Sequence, residues 1–223
     1  VQPFTYLGGA VTETPDISVE IARRTRASWI RIRRYLRELY DQPKVALSVK
    51  TRMVKAETIE VLLYGCSTST LRQKYYAKLR TVHHWVLLRI IGTQHKRLDH
   101  WMTSYYALEI TQCESIETTL RTRRLLWAGT VTRMSGGRLP KRIAFGNLEG
   151  VVRRGRGRKA KEWTDCVQSD IRAFGITGDW KAAALKAEVW GEMVVEGGRR
   201  FMAARRREKV DAARHHQEKR EAT

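Results

Sequence analysis

From Ile17 to Leu39 the chain interleaves two chemistries with the same helical period. Ile17, Ile21, Ser28, Ile32, Tyr35, Leu36 and Leu39 recur at spacings that place them along one side of an α-helix. Arg23, Arg24, Arg26, Arg31, Arg33, Arg34 and Arg37 fall between them and are expected on the other side. A strand cannot sort these residues, because its side chains alternate every second position. A helix with one apolar seam must bury that seam against other elements, so the pattern calls for a helical bundle. Like charges along one helix face repel, which is unfavourable in isolation. A phosphate backbone laid along the face would relieve the repulsion; the competing reading is a solvated face that keeps the chain soluble.

The rest of the chain reads as further helices. Phe4-Thr5-Tyr6-Leu7-Gly8-Gly9-Ala10-Val11 is β-prone and glycine-punctuated, and predicts a short strand or hairpin. Pro15 and Asp16 open the first helix. A second helix is expected over 48–64, with Val49, Met53, Ala56, Ile59 and Leu63 inward and Gly65 ending it. A third is expected over 70–91, with Leu71, Tyr75, Leu79, Val82, Trp85 and Ile90 as core and Gly92 as its stop. Beyond these come helices near 103–109 and 114–134, the latter with Ile116, Leu120, Leu126, Trp127 and Val131 inward. Residues 138–161 are the least regular and most basic stretch. Helices near 160–174 and 180–195 follow, with Trp163, Val167, Ile171 and Phe174 lining one and Trp180, Ala184, Ala187 and Trp190 the other. From Glu196 the chain is helix-prone but poor in large apolar residues, and is expected to be frayed or independent of the core.

The 223 residues carry 43 Lys and Arg against 23 Asp and Glu, a formal charge of +20. With a hydrophobic fraction of 42%, enough apolar side chains remain to drive packing, so this charge does not imply disorder. Nucleic acid leads among anionic partners because the excess is mostly arginine, whose planar fork matches phosphate and stacks on bases. The three cysteines, Cys66, Cys113 and Cys166, are far apart and form no CxxC pair, which argues against a disulfide framework or zinc knuckle. They read as buried thiols in a reducing compartment, and the expected location is nucleus or cytoplasm. No stretch approaches the roughly 18 apolar residues that span a bilayer, so no membrane role is expected. The first residue is Val1 and no secretory signal opens the chain; a piece of a longer polypeptide is expected.

Little supports catalysis. No two aspartates are adjacent, and there is no GxxxxGK[ST], HExxH or GxSxG motif. His83-His84 are neighbours in a helix, so their side chains diverge by about 100° and make no bidentate metal site. Pro15-Asp16 with Glu20 is better read as an acidic helix start than as a nuclease carboxylate pair. The basic loop is more informative. Arg153, Arg154, Arg156, Arg158, Lys159 and Lys161 place six cations in nine residues, with glycines that let the backbone approach a phosphate strand. Trp163, just beyond, reads as core of the next helix.

Several blocks together resemble one family. Phe4-Thr5-Tyr6-Leu7-Gly8 resembles an F-x-Y-L-G block, Val61-Leu62-Leu63-Tyr64-Gly65 an L-L-Y-G block, and Leu87-Leu88-Arg89-Ile90-Ile91-Gly92 an L-R-x-I-L-G block. The run from Arg124 to Met134 resembles R-L-x-W-x-G-H-V-x-R-M. Arg138-Leu139-Pro140-Lys141, Arg156-Gly157-Arg158, Trp163-Thr164-Asp165-Cys166-Val167, Asp170-Ile171 and Asp179-Trp180 follow in order. In order and approximate spacing these are similar to the region after the palm in reverse transcriptases of non-LTR, LINE-like retrotransposons. The chain departs from the pattern at Thr130, where histidine is usual, and at Lys159 and Glu60, where proline is usual, as in a diverged copy.

The resemblance implies a thumb and post-thumb segment of an RNA-directed DNA polymerase. The catalytic aspartates and their Mg²⁺ would belong to the upstream palm, and no cofactor is expected in this segment. The expected architecture is mainly α, with an end-of-palm β element over 1–12 and a thumb-like bundle over 13–97. A second helical group over 98–195, holding the basic loop 138–161, and a charged helical tail over 196–223 complete it. The expected partners are RNA and DNA, including RNA–DNA hybrid, and the palm itself. A free-standing basic protein derived from a retroelement, binding RNA, DNA or chromatin, is the alternative; an autonomous nuclease is the third reading.

Overall fold

The computed structural model describes residues 4–6, 9–11, 17–92, 100–146 and 162–221. The fold is mainly α, as the periodicity requires. At the N-terminus β1 (Phe4–Tyr6) pairs antiparallel with β2 (Gly9–Val11), Phe4 opposite Val11 and Tyr6 opposite Gly9. The chain divides into two compact units. One comprises Val1–Cys66, Leu71–Glu117 and Val210–Thr223; the other comprises Ser67–Thr70 and Thr118–Lys209. The division therefore leaves residues 100–117 with the first group rather than the second.

In the first unit α1 (Ser18–Tyr35) packs on α4 (Gln73–Ile91) and on α3 (Glu60–Leu63). Ile21 and Ile32, fully buried, anchor its seam. Complete burial of such side chains contributes about 1.5–3 kcal/mol each. Ser28 belongs to that seam because its hydroxyl donates to the Thr58 carbonyl, 3.3 Å away. Past Tyr35 the helix widens into a π-helical turn, Leu36–Tyr40.

The expected second helix is continuous but not uniform. It runs as α2 (Leu47–Met53), a π-helical stretch Val54–Ile59, and α3. The wider turn advances the register. Lys50, Thr51, Val54, Thr58, Ile59, Leu62 and Leu63 are buried, while Ala56 is exposed and Val49 and Met53 are half-buried. The inward set expected from a straight helix is corrected accordingly. Gly65 and Gly92 stop α3 and α4, both at positive φ, where a side chain would be strained. On α4 the buried seam is Tyr75, Leu79, Val82, His83, Val86, Leu87 and Ile90. Trp85, expected in the core, is 40% exposed. The unit also holds α5 (His100–Thr111). Just past its C-terminus, the Gln112 carbonyl accepts from Lys55 Nζ at 2.9 Å.

In the second unit, helix α6 (Ile116–Arg133) buries Leu120, Leu125, Ala128 and Val131; Leu126, expected inward, is exposed and Trp127 is half-buried. Part of the stretch expected to be irregular is helical: α7 (Leu139–Phe145) has Pro140 in its first turn, where a missing N–H removes no bond. Next comes α8 (Trp163–Ala173), opened by a reciprocal cap in which Asp165 accepts from the Glu162 N–H at 2.9 Å. The helix expected over 180–195 is broken: α9 (Trp180–Ala184) ends before Leu185, and α10 runs from Ala187 to Glu221. Ala187, expected in the core, is exposed.

The tail expectation is corrected at its start. Gly197 and Gly198 of α10 are buried, a Cβ on Gly197 would press on Phe174 at 2.7 Å, and the Phe201 ring lies 5.7 Å from that of Phe174. These contacts fasten α10 to the core of its unit; from Ala203 to Lys209 the helix is exposed at every position.

Candidate nucleic-acid interface

The arginines expected on one face of α1 divide by their angle to the buried seam. In a helix of 3.6 residues per turn, Arg24 lies about 60° from Ile21 and about 40° from Ser28. It is accordingly 8% exposed, with Nε donating to Glu20 Oε1 at 2.5 Å and its guanidinium 4.4 Å from the Tyr64 ring centre. Arg23 shares the same carboxylate through contacts of 3.1 and 3.2 Å. Arg31, on the flank, pairs with Glu57 at 3.4 Å. Arg23, Arg24 and Arg31 are thus engaged within the fold, and the expectation that all seven share one binding face is corrected: Arg24 is a packing residue.

Arg26, Arg33 and Arg34 lie within about 60° of the direction opposite Ile21. All three are exposed, as is Arg37 in the following π turn. Ile30, among them, is 60% exposed. Arg26, Arg33 and Arg37 form no ion pair with a described residue. Four guanidinium groups therefore stand along one exposed stripe, held in register by a helix whose far side is locked into the bundle. The cluster Arg153, Arg154, Arg156, Arg158, Lys159 and Lys161 lies outside the described residues.

A feature of the same unit escaped the periodicity argument. Trp29 of α1 and Trp85 of α4 meet edge to face, with centroids 4.8 Å apart and planes at 71°. Trp29 is half-buried. It sits three residues after Arg26 and four before Arg33, spacings that put all three side by side on the helix surface. Helix α4 carries Lys74, Lys78, Arg80 and Arg89 and no acidic residue. Arg80 pairs with Glu117 at 3.1 Å, and Arg89 makes a two-pronged contact with Asp41 at 2.7 and 2.5 Å. The signal in the sequence was the mismatch between Trp85 and the seam through Val82, Val86 and Ile90.

In the second unit the conspicuous charges are internal. Asp170, 2% exposed, accepts from Arg124 and from Arg121, each at 2.5 Å. A buried carboxylate bridging two guanidiniums is compensated only as a set; removing one member leaves an unpaired buried charge, typically at about 3–5 kcal/mol. Several glycine, arginine and tryptophan contacts hold this unit together. Gly129 admits the ring of Trp190, whose Nε1 donates to the Leu125 carbonyl at 2.8 Å. Arg133 reaches the Ala184 carbonyl at 2.7 Å, closing α9. Trp163 donates to the Ser67 carbonyl at 3.0 Å, and Asp179 caps α9 through the Lys181 and Ala182 N–H groups. Thr130 bonds its own helix at the Leu126 carbonyl.

Among the described residues no three His, Cys, Asp or Glu side chains cluster so as to hold a metal ion. Glu20 is committed to two arginines. His83 is buried, and desolvation, with a smaller contribution from His84, lowers its pKa to about 4. Cys66, Cys113 and Cys166 are buried and form no disulfide, and burial pushes the Cys113 thiol up, away from the reactive thiolate. No described helix is long and apolar enough to cross a membrane. No protein-family model, curated protein or solved structure matches the chain.

Proposed function

We propose that this chain is a nucleic-acid-gripping segment, the thumb and post-thumb region of a reverse transcriptase from a non-LTR retrotransposon, which holds template and primer and leaves the chemistry to a palm. One observation carries the binding role: the stripe of Arg26, Arg33, Arg34 and Arg37, exposed opposite a fully buried seam. Arginines that served only the fold would be drawn into ion pairs, as Arg24 and Arg31 are. The stripe offers guanidinium groups in fixed register to successive phosphates, which favours backbone contact over base readout. The order of sequence blocks supplies the polymerase class, and RNA–DNA hybrid is the substrate that class implies.

Filter binding of a labelled RNA–DNA hybrid between about 50 and 200 mM salt tests the reading. If the stripe and the basic loop together contact six to eight phosphates, affinity falls by about three to five orders of magnitude over that range, with little sequence preference. Changing Arg26, Arg33, Arg34 and Arg37 to Gln lowers the logarithmic salt slope by about three to four. A flat salt response of the unsubstituted chain overturns the proposal.

A further inference from the structure

We propose that Trp29 and Trp85 form a stacking platform for an unpaired base of a single-stranded nucleic acid, beside the arginine stripe of α1. The inference rests on the nucleic-acid reading above and adds to it a discrimination the stripe alone cannot make, between stacked and unstacked bases.

The packing of α4 gives the first reason. Its seam is complete without Trp85, for Val82, Val86, Leu87 and Ile90 are all at most 4% exposed. Trp85 instead stands on the outer side of the helix, where its neighbours Ala77, Lys78, Thr81 and Arg89 are all exposed. A tryptophan left 40% exposed forgoes much of the burial that makes the residue valuable in a core. Its ring is nevertheless not free to wander. The edge-to-face contact with Trp29, at 4.8 Å, fixes its plane, and Trp29 is held by a helix whose seam is fully buried. A pre-oriented aromatic surface binds a flat ring with little loss of side-chain freedom.

Charge gives the second reason. Arg26 and Arg33, which form no ion pair with a described residue, bracket Trp29 on α1, and α4 itself carries no acidic residue. An aromatic surface flanked by these guanidinium groups suits a π-face joined to phosphates. Single-strand binders combine a basic track with aromatic side chains on which bases stack, and the stacking contributes about 1–3 kcal/mol per base. In a duplex those π-faces are already occupied by neighbouring bases, so the platform serves a flipped-out base, an overhang or a single-stranded stretch.

Binding of four oligonucleotides of equal length tests this by fluorescence anisotropy: a DNA strand, an RNA strand, a DNA strand whose central residues are abasic, and a blunt duplex. The unsubstituted chain binds the base-bearing DNA strand at least about fivefold tighter than the abasic one. Trp85→Ala removes that preference and changes duplex affinity by less than about twofold, and Trp85→Phe restores part of it. RNA equal to DNA assigns the preference to the base, and a preference for RNA adds the 2′-hydroxyl to the same platform. Equal binding of base-bearing and abasic strands, or a Trp85→Ala loss that is the same on strand and duplex, overturns the inference while the phosphate reading stands. Failure to bind any of the four overturns both. Should Trp85→Ala not fold, as judged by circular dichroism, Trp85→Leu takes its place, and the comparison on the unsubstituted chain alone can refute the platform.

Discussion

Arg24 and Arg33 carry the same guanidinium group on one helix and meet opposite environments. Arg24 stands on the flank of the buried seam, so its charge is taken up by Glu20 and its plane lies over Tyr64. Arg33 points away from that seam and stays exposed. His83 shows the same dependence on a helix face. It occupies a seam position of α4, and burial keeps its ring neutral, with a pKa of about 4 against an ordinary 6.5. Because the folded value is the lower, the unfolded chain takes up the proton first as pH falls. Stability is then fully present above about pH 6.5 and is lost between there and pH 4. From pH 8 to pH 5 this group withdraws about 2 kcal/mol. Urea unfolding at the two pH values should show that fall in the parent chain, and a smaller one in His83→Gln. Equal falls in both would assign the pH response to other groups.

Between helices, α6 meets α10 closely at Gly129. Gly129 leaves room for the Trp190 ring, which is 1% exposed and tied by its N–H to the Leu125 carbonyl. A methyl group at Gly129 would overlap that ring, and the ring cannot retreat without losing its hydrogen bond. Gly129→Ala should therefore destabilise the second unit by about 1–3 kcal/mol despite alanine's higher helix propensity, lowering its melting temperature by at least about 5 °C. Gly136→Ala, where a Cβ meets nothing within 4 Å, is the control and should melt within a degree or two of the parent. A melting temperature unchanged by Gly129→Ala would mean that the Trp190 ring is not so confined. The π-helical turns act at this scale too. By advancing the register at Val54–Ile59, they bring Lys50, Thr51 and Thr58 into the bundle and turn Ala56 outward.

For the whole molecule the controlling quantity is the formal charge of +20, with 43 basic and 23 acidic residues. Exposed ion pairs such as Arg31–Glu57 and Arg89–Asp41 are each worth under about 1 kcal/mol and weaken with salt. Self-repulsion among the surplus cations weakens as well, and at this net charge it outweighs the few exposed pairs. Raising NaCl from about 20 to about 300 mM shortens the screening length to roughly 6 Å and should raise the melting temperature. Scanning calorimetry at the two concentrations checks the sign, and a fall would mean that ion pairs outweigh repulsion.

Helicity, the stops at Gly65 and Gly92, the apolar seam of α1 and the basic character were legible in the sequence because each depends on neighbours within a turn or two. Local spacing could place seven arginines near a helix face, and Glu20 within reach of Arg23 and Arg24, yet it could not say which would be buried or paired from elsewhere. The Tyr64 ring over Arg24 and the Glu57 carboxylate beside Arg31 reach α1 only when the chain folds back on itself, as Asp170 reaches Arg124 across 46 positions. The exposure of Trp85 and the shifted seam of the second helix were hidden for a related reason. A constant 3.6-residue period cannot register a π turn or tell which of two apolar stripes the neighbouring helices will cover. Sequence thus determined the elements and the sign of the charge, and tertiary packing selected Arg26, Arg33, Arg34 and Arg37 as the exposed stripe, because burial is a property of distant residues brought together.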